Sequence, residues 1–253
     1  MTPLAPPADG MLAGYDALLF DLDGVITKTA AVHAQAWKAL FDEFLLNWSA
    51  QHGQAFQPFD IGADYVRYVD GKRRYDGVAS FLESRGIALS RGEPTDVPDA
   101  PTVCGLGNRK DRYFLAALEE QGVAVFDDAV ALLDAVRRAG KRVAVVSASE
   151  NCDPILRRVG LIDRFDARVT GREASEWHLA GKPAPDTFLK AAELLGVPPA
   201  KAVVLEDAIS GVQAGKAGGF GLVVGVDRGG AGQALAANGA DVVLRDLNEL
   251  VEG

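Results

Sequence analysis

Two cysteines, Cys104 and Cys152, in 253 residues are too few for a disulfide framework. A reducing, cytoplasmic setting is the expectation. No apolar run approaches the roughly 18 residues of a membrane span, so no membrane partner is expected. Positive charge is in deficit: 26 Lys and Arg face 35 Asp and Glu, a net charge of −9. That balance disfavours non-specific nucleic-acid binding and points to a soluble protein, although a local basic site can still hold an anion. The acidic balance and the modest length also fit a monomer. No short-period repeat is visible. The opening MTPLAPPADGML lacks a basic segment and is broken by prolines. A loose tail over residues 1–14 is expected there rather than a signal peptide. No GxGxxG follows the first strand-like run, and Gly218-Gly219 closes a helical pattern instead of opening one. A dinucleotide-binding dehydrogenase is therefore disfavoured.

What is present is a chain that is 48% hydrophobic, enough for a sizeable core. Short apolar runs rich in β-branched residues predict buried parallel strands at 17–20, 143–146, 202–205 and 222–226, with a fifth at 241–244. Helical patterns separate them at 127–139, 185–195 and 209–217, with Gly140, Gly196 and Gly218 as stops. This alternation predicts an α/β fold, a doubly wound parallel sheet. Residues 30–121 break the rhythm. They hold helical patterns at 34–44, 76–84 and 111–120 and a proline-rich loop at 93–101, but no βα succession. They predict a helical cap inserted into a core made of residues 15–29 and 122–253, with hinges near 29–31 and 122–125.

The stretch LLFDLDGVIT ends a buried strand with Asp21 and Asp23, two like charges spaced by one residue. Ser147, Ala148 and Ser149 follow the second run, Glu206 and Asp207 the fourth, and Gly181-Lys182-Pro183 enters a helix. Each alone reads as a cap, a turn or a solvated charge. Ligands of open α/β sheets bind beyond the carboxyl ends of the strands. There, these carboxylates with a hydroxyl and a cation suit a hard divalent ion such as Mg²⁺, with Asp21 left an oxygen that can attack.

DLDGVIT, VSAS, AGKPAPDTF and LEDAISGVQAG, in that order, resemble the four motifs of the haloacid dehalogenase superfamily of phosphotransferases. Thr29, His33, the AWKAL run at 36–40 and the GNRKDRYF segment at 107–114 resemble its β-phosphoglucomutase-like subfamily. The resemblance implies a Rossmann-like core with a cap. It implies Asp21 as nucleophile forming an aspartyl-phosphate and Asp23 as general acid/base. It implies Mg²⁺ on Asp21, the main-chain carbonyl of Asp23, Asp207 and Glu206. Ser147, the Ala148 NH and Lys182 would hold the transferring phosphoryl oxygens. Asn151 would support the same pocket, or simply cap the next helix.

In the cap, the resemblance implies that Arg74, in VDGKRRYDG, binds a second, distal phosphate. Lys110 would contact sugar or phosphate, and Thr29 and His33 would position Asp23. Trp37 is a candidate substrate contact whose plainer reading is cap core. Two positions depart from the subfamily pattern: Lys28 stands in place of a carboxylate and Glu150 in place of a lysine. The cap is also long, through residues 47–64 and 90–103. The implied activity is interconversion of β-glucose 1-phosphate and glucose 6-phosphate, with a sugar-phosphate phosphatase as the alternative. A catalytically silent binding module on the same fold is a third reading. The retention of Asp21, Asp23, Ser147, Lys182 and Asp207 speaks against it.

Overall fold

The computed structural model describes residues 10–251. Most of the expected N-terminal tail, residues 1–9, lies outside them. Residues 10–14, expected to be loose, instead form turns: the Ala13 amide donates to the Gly10 carbonyl, and Leu12 is buried. Lys141 Nζ fixes this segment by donating to the carbonyls of Leu12 (2.9 Å) and Tyr15 (2.6 Å).

Six strands form one sheet: β1 (Ala17–Phe20), β2 (Arg142–Val146), β3 (Ala167–Val169), β4 (Ala202–Glu206), β5 (Leu222–Val226) and β6 (Val242–Leu244). Every pairing is parallel and the order is β3-β2-β1-β4-β5-β6. β1 and β4 are buried at every residue, as strands covered on both faces must be. The order runs outward in both directions from the β1–β4 pair. That pair is thus the switch point, where a doubly wound sheet opens a crevice at its carboxyl edge.

By contacts the chain divides into two compact units. One holds Thr29–Val123, and the other holds the described residues up to Lys28 and from Ala124 onward. The first contains α1 (Ala30–His52), a π-helical segment (Ile61–Val69), α2 (Arg74–Ser84) and α3 (Val103–Gln121). Its own core joins Trp37, Leu40, Phe41, Phe59, Phe81 and Leu106. The aromatic rings there stack closely, with Phe41 and Phe81 centroids 4.1 Å apart. The sheet unit carries α4 (Asp127–Arg138), α5 (Cys152–Arg158), α6 (Gly171–Glu176), α7 (Asp186–Leu195), α8 (Ile209–Ala217) and α9 (Gly232–Ala237).

Two cap helices outrun their sequence patterns. α1 continues past residue 44 because no breaker intervenes before Gly53, which ends it at φ 62°. α3 begins eight residues earlier than its periodicity predicts. Thr102 caps it by accepting from the Gly105 amide at 2.9 Å, while Gly105 and Gly107 mask the helical signal. Among the described residues, no helix is long and apolar enough to cross a membrane. Both cysteines are free and buried.

Candidate active site

Asp21 follows β1 directly, and its amide donates to the Leu205 carbonyl of β4 at 3.0 Å. The β1–β4 pairing thus extends one residue beyond the strand and delivers the Asp21 side chain to the switch point, where it is 6% exposed. Glu206 ends β4 fully buried, and Asp207 follows half-buried. One carboxylate oxygen from each of Asp21, Glu206 and Asp207 lies within 4.8 Å of the others. An all-oxygen donor set of this kind fits a hard divalent cation. Asp23 is not in this side-chain group; its expected contribution is a main-chain carbonyl.

The loop after β1 is shaped to admit that grouping. Gly24 sits at φ 88°, and a Cβ there would fall 1.8 Å from Oδ2 of Asp207. Only glycine permits both the left-handed backbone and the approach of the carboxylate. The loop then turns back on itself: the amides of Ile26 and Thr27 and the Thr27 hydroxyl all donate to the Leu22 carbonyl.

Lys182 reaches the group from the segment before α7. Its ammonium donates to Oδ1 of Asp21 at 2.5 Å, to Oε1 of Glu206 and to the Val146 carbonyl at 3.3 Å. Its side chain is 2% exposed, so these contacts replace water. Burial pushes the Asp21 carboxyl well above the usual carboxylate range; Lys182 opposes the shift, and Glu206 and Asp23 add to it. For Lys182, burial favours the neutral amine, but Asp21 and Glu206 outweigh it and hold the ammonium above the ordinary lysine range. Three acidic side chains meet one cation here, an excess of oxygen donors that suits a metal ion.

Ser147, 2% exposed, follows β2, and its amide donates to the Val169 carbonyl at 3.0 Å. Its hydroxyl oxygen accepts from the Ser149 amide at 3.1 Å, which leaves the O–H proton to donate elsewhere. Ala148 and Asn151 are half-buried in the same turn. Asn151 occupies the cap position of α5, yet its side chain makes no capping hydrogen bond.

The cap candidates fall into two groups. In one, Lys110 (4% exposed) hydrogen-bonds Nδ1 of His33, and its Nζ lies 5.0 Å from the Trp37 ring centroid and 4.7 Å from that of Phe114. An ammonium donating to Nδ1 requires that nitrogen to be unprotonated. The His33 ring stacks on Phe114 at 3.9 Å, and the His33 amide donates to the carbonyl of Thr29, itself buried. Trp37, a candidate substrate contact on sequence, is instead a core side chain: it is 4% exposed and stacks on Phe41. Its ring also meets the Lys110 ammonium in a cation–π contact.

In the other group, Arg74 opens α2 and pairs with Asp111 (3.2 Å) and with Oδ1 of Asn108 (3.3 Å), both on α3. Sequence reasoning passed over Asn108. An Asn in a helix interior is a poor helix former, and that was the available signal that its amide is used. Of the two departures from the subfamily pattern, Lys28 is exposed, its Nζ 5.2 Å from the Phe126 ring centroid, and Glu150 is half-buried.

Comparison with known proteins identifies the family. The model of the haloacid dehalogenase-like hydrolase family matches residues 15–219. A β-phosphoglucomutase of Mycobacterium bovis is 54% identical over 239 residues, covering 93% of this chain and 91% of that protein. The crystal structure of β-phosphoglucomutase from Clostridium difficile superposes with a TM-score of 0.71 at 25% identity, covering 93% of each chain. CbbY from Rhodobacter sphaeroides, solved in complex with xylulose-(1,5)bisphosphate, superposes with a TM-score of 0.69 at 26% identity over 93% of this chain and 96% of that one. With the family's model spanning every strand-end residue described above, the chain belongs to the haloacid dehalogenase-like hydrolases and is an enzyme of that class.

Proposed function

We propose that this enzyme is a Mg²⁺-dependent β-phosphoglucomutase, interconverting β-glucose 1-phosphate and glucose 6-phosphate through an aspartyl-phosphate on Asp21. The grouping of Asp21, Glu206 and Asp207 around one point, with Lys182 bonded to two of them, carries the phosphoryl-transfer reading. The mycobacterial relative supports the mutase outcome.

An oxygen of Asp21 attacks phosphorus of a sugar bisphosphate, the P–O bond to the sugar breaks, and Asp23 gives the leaving oxygen a proton. In the reverse half, Asp23 takes the proton of the monophosphate's acceptor hydroxyl, and that oxygen recovers the phosphoryl group from Asp21. Mg²⁺ held by Asp21, Glu206, Asp207 and the Asp23 carbonyl would neutralise charge on the transferring group. Lys182, Ser147 and the Ala148 amide donate to its oxygens, with Asn151 at the margin. The second phosphate needs its own cation, and Arg74 supplies a planar fork for two of its oxygens. Lys110 and His33, each holding the other, meet the sugar end, and Thr29 stands at the start of the helix that carries His33. The reading includes a monomer acting on small sugar phosphates in the cytoplasm. The chain passes between its two compact units at 28–29 and at 123–124.

A sugar-phosphate phosphatase is the second reading, and Glu150 favours it: an anion where the subfamily carries a cation weakens a bisphosphate site. A panel of sugar phosphates with and without Mg²⁺ separates the two. Steady glucose 6-phosphate formation from β-glucose 1-phosphate, primed by a bisphosphate, is the expected result. Release of free phosphate without isomerised product would overturn the mutase reading.

A further inference from the structure

Asn108 links the cap insertion at 90–103 to Arg74. Asn108, on α3, has all its polar atoms engaged. Its Nδ2 donates to the main-chain carbonyls of Pro94 (3.0 Å) and Asp96 (2.8 Å), both in the proline-rich loop. Its Oδ1 accepts from the Tyr75 hydroxyl (2.9 Å) and from Nη1 of Arg74 (3.3 Å). The loop is itself closed by Asp96, whose Oδ2 accepts from the Thr102 hydroxyl (2.6 Å) and the Glu93 amide (3.1 Å). Asp111, one turn further along the same face of α3, pairs with Nη2 of Arg74. Gly107 lets α2 come this close to α3, since a Cβ there would lie 2.7 Å from the Tyr75 ring.

We propose that Asn108 is a positioning residue for Arg74, tying its guanidinium to the 93–101 loop so that the loop fixes where Arg74 presents its charge. The inference rests on the reading of Arg74 as ligand to the distal phosphate of a sugar bisphosphate. Nη1 held by Asn108 and Nη2 held by Asp111 fix the plane of the guanidinium at two of its corners. A planar donor gains affinity for phosphate when its orientation is set before binding. The loop therefore acts on the site without touching the reacting atoms. Changes in its length or its Pro94–Asp96 backbone alter affinity for the bisphosphate and spare the chemical step.

The test compares N108A, N108D, R74A and the double variant R74A/N108A in the full chain, with glucose 1,6-bisphosphate as primer and β-glucose 1-phosphate as substrate. N108A is expected to raise the KM for bisphosphate about tenfold or more, the effect of one hydrogen bond to a charged group, with a much smaller change in kcat. N108D keeps an acceptor toward Arg74 but sets a carboxylate against the two loop carbonyls. It should also raise KM, and it carries the test if N108A folds poorly. The double variant should be no worse than R74A, because Asn108 acts through Arg74. A KM unchanged in both N108A and N108D while R74A raises it overturns the inference and leaves the function standing. Losses that multiply in the double variant also overturn it, since they assign Asn108 an independent role. An R74A enzyme with unchanged bisphosphate KM removes the reading on which the inference rests.

Discussion

Lys182 and Asp21 illustrate how one buried cation can serve both folding and chemistry. The ammonium satisfies two carboxylates that would otherwise face each other in the dry end of the sheet. Removing one partner of a buried ion pair leaves an uncompensated charge, which costs about 3–5 kcal/mol. Lys182→Met is therefore expected to lose about that much stability in metal-free protein, measured by urea unfolding in EDTA. Asp21→Asn should lose much less, because it keeps an acceptor for Lys182, preserves the Lys182–Glu206 pair and relieves repulsion with Glu206. Turnover should fall to background in Asp21→Asn, since an amide cannot become the acyl phosphate. Equal destabilisation by the two variants would deny Lys182 its bridging position. The convergence of Asp21, Glu206 and Asp207 was legible because acids at strand ends are odd in an apolar context. The Lys182–Glu206 bond was not legible, because no sequence spacing distinguishes a lysine on the phosphate from one on a neighbouring acid.

At the scale of elements, α4 and the segment at its N-terminus are locked to the C-terminal end of the chain. Asp128 accepts from both Nη atoms of Arg228 (2.8 and 2.9 Å) and from the Leu247 amide (2.8 Å), and the Arg228 guanidinium lies 4.0 Å from the Phe126 ring centroid. Burial works against the Asp128 charge, but these donors win and hold its carboxyl below the usual value. A carboxylate whose folded-state pKa is depressed adds stability above its unfolded value, about pH 3.9, and loses it as pH falls through the folded one. Arg228→Met should therefore be less stable at neutral pH and flatten the acid limb of the stability profile below about pH 4. Parallel curves for the two proteins would show that Arg228 does not set the Asp128 ionisation. The strands β1, β2, β4 and β5 were readable as unbroken apolar runs. β3 was not: it has three residues, and Arg168 stands at its centre, ion-paired with Asp153. The π-helical segment at Ile61–Val69 and the first turns of α3 escaped because their glycines and mixed periodicity match neither template.

For the whole molecule, the decisive property is that folding brings residues from far apart in the chain into one acidic pocket. Asp21 and Asp207 are separated by an entire inserted unit, Thr29–Val123, and by three strands' worth of sequence. An ion bound to that pocket binds the folded chain and not the unfolded one, so it must raise the unfolding temperature. At a hundredfold excess over its dissociation constant the gain is about 2.7 kcal/mol. Asp207→Asn removes one of the three carboxylates while leaving the Lys182 bridge to Asp21 and Glu206 in place. In EDTA the variant should melt close to the parent protein. Added Mg²⁺ should then raise the parent's melting temperature and leave the variant nearly unmoved. A metal-induced rise of the same size in both would place the ion elsewhere and break the link between the pocket and the phosphoryl chemistry assigned to it.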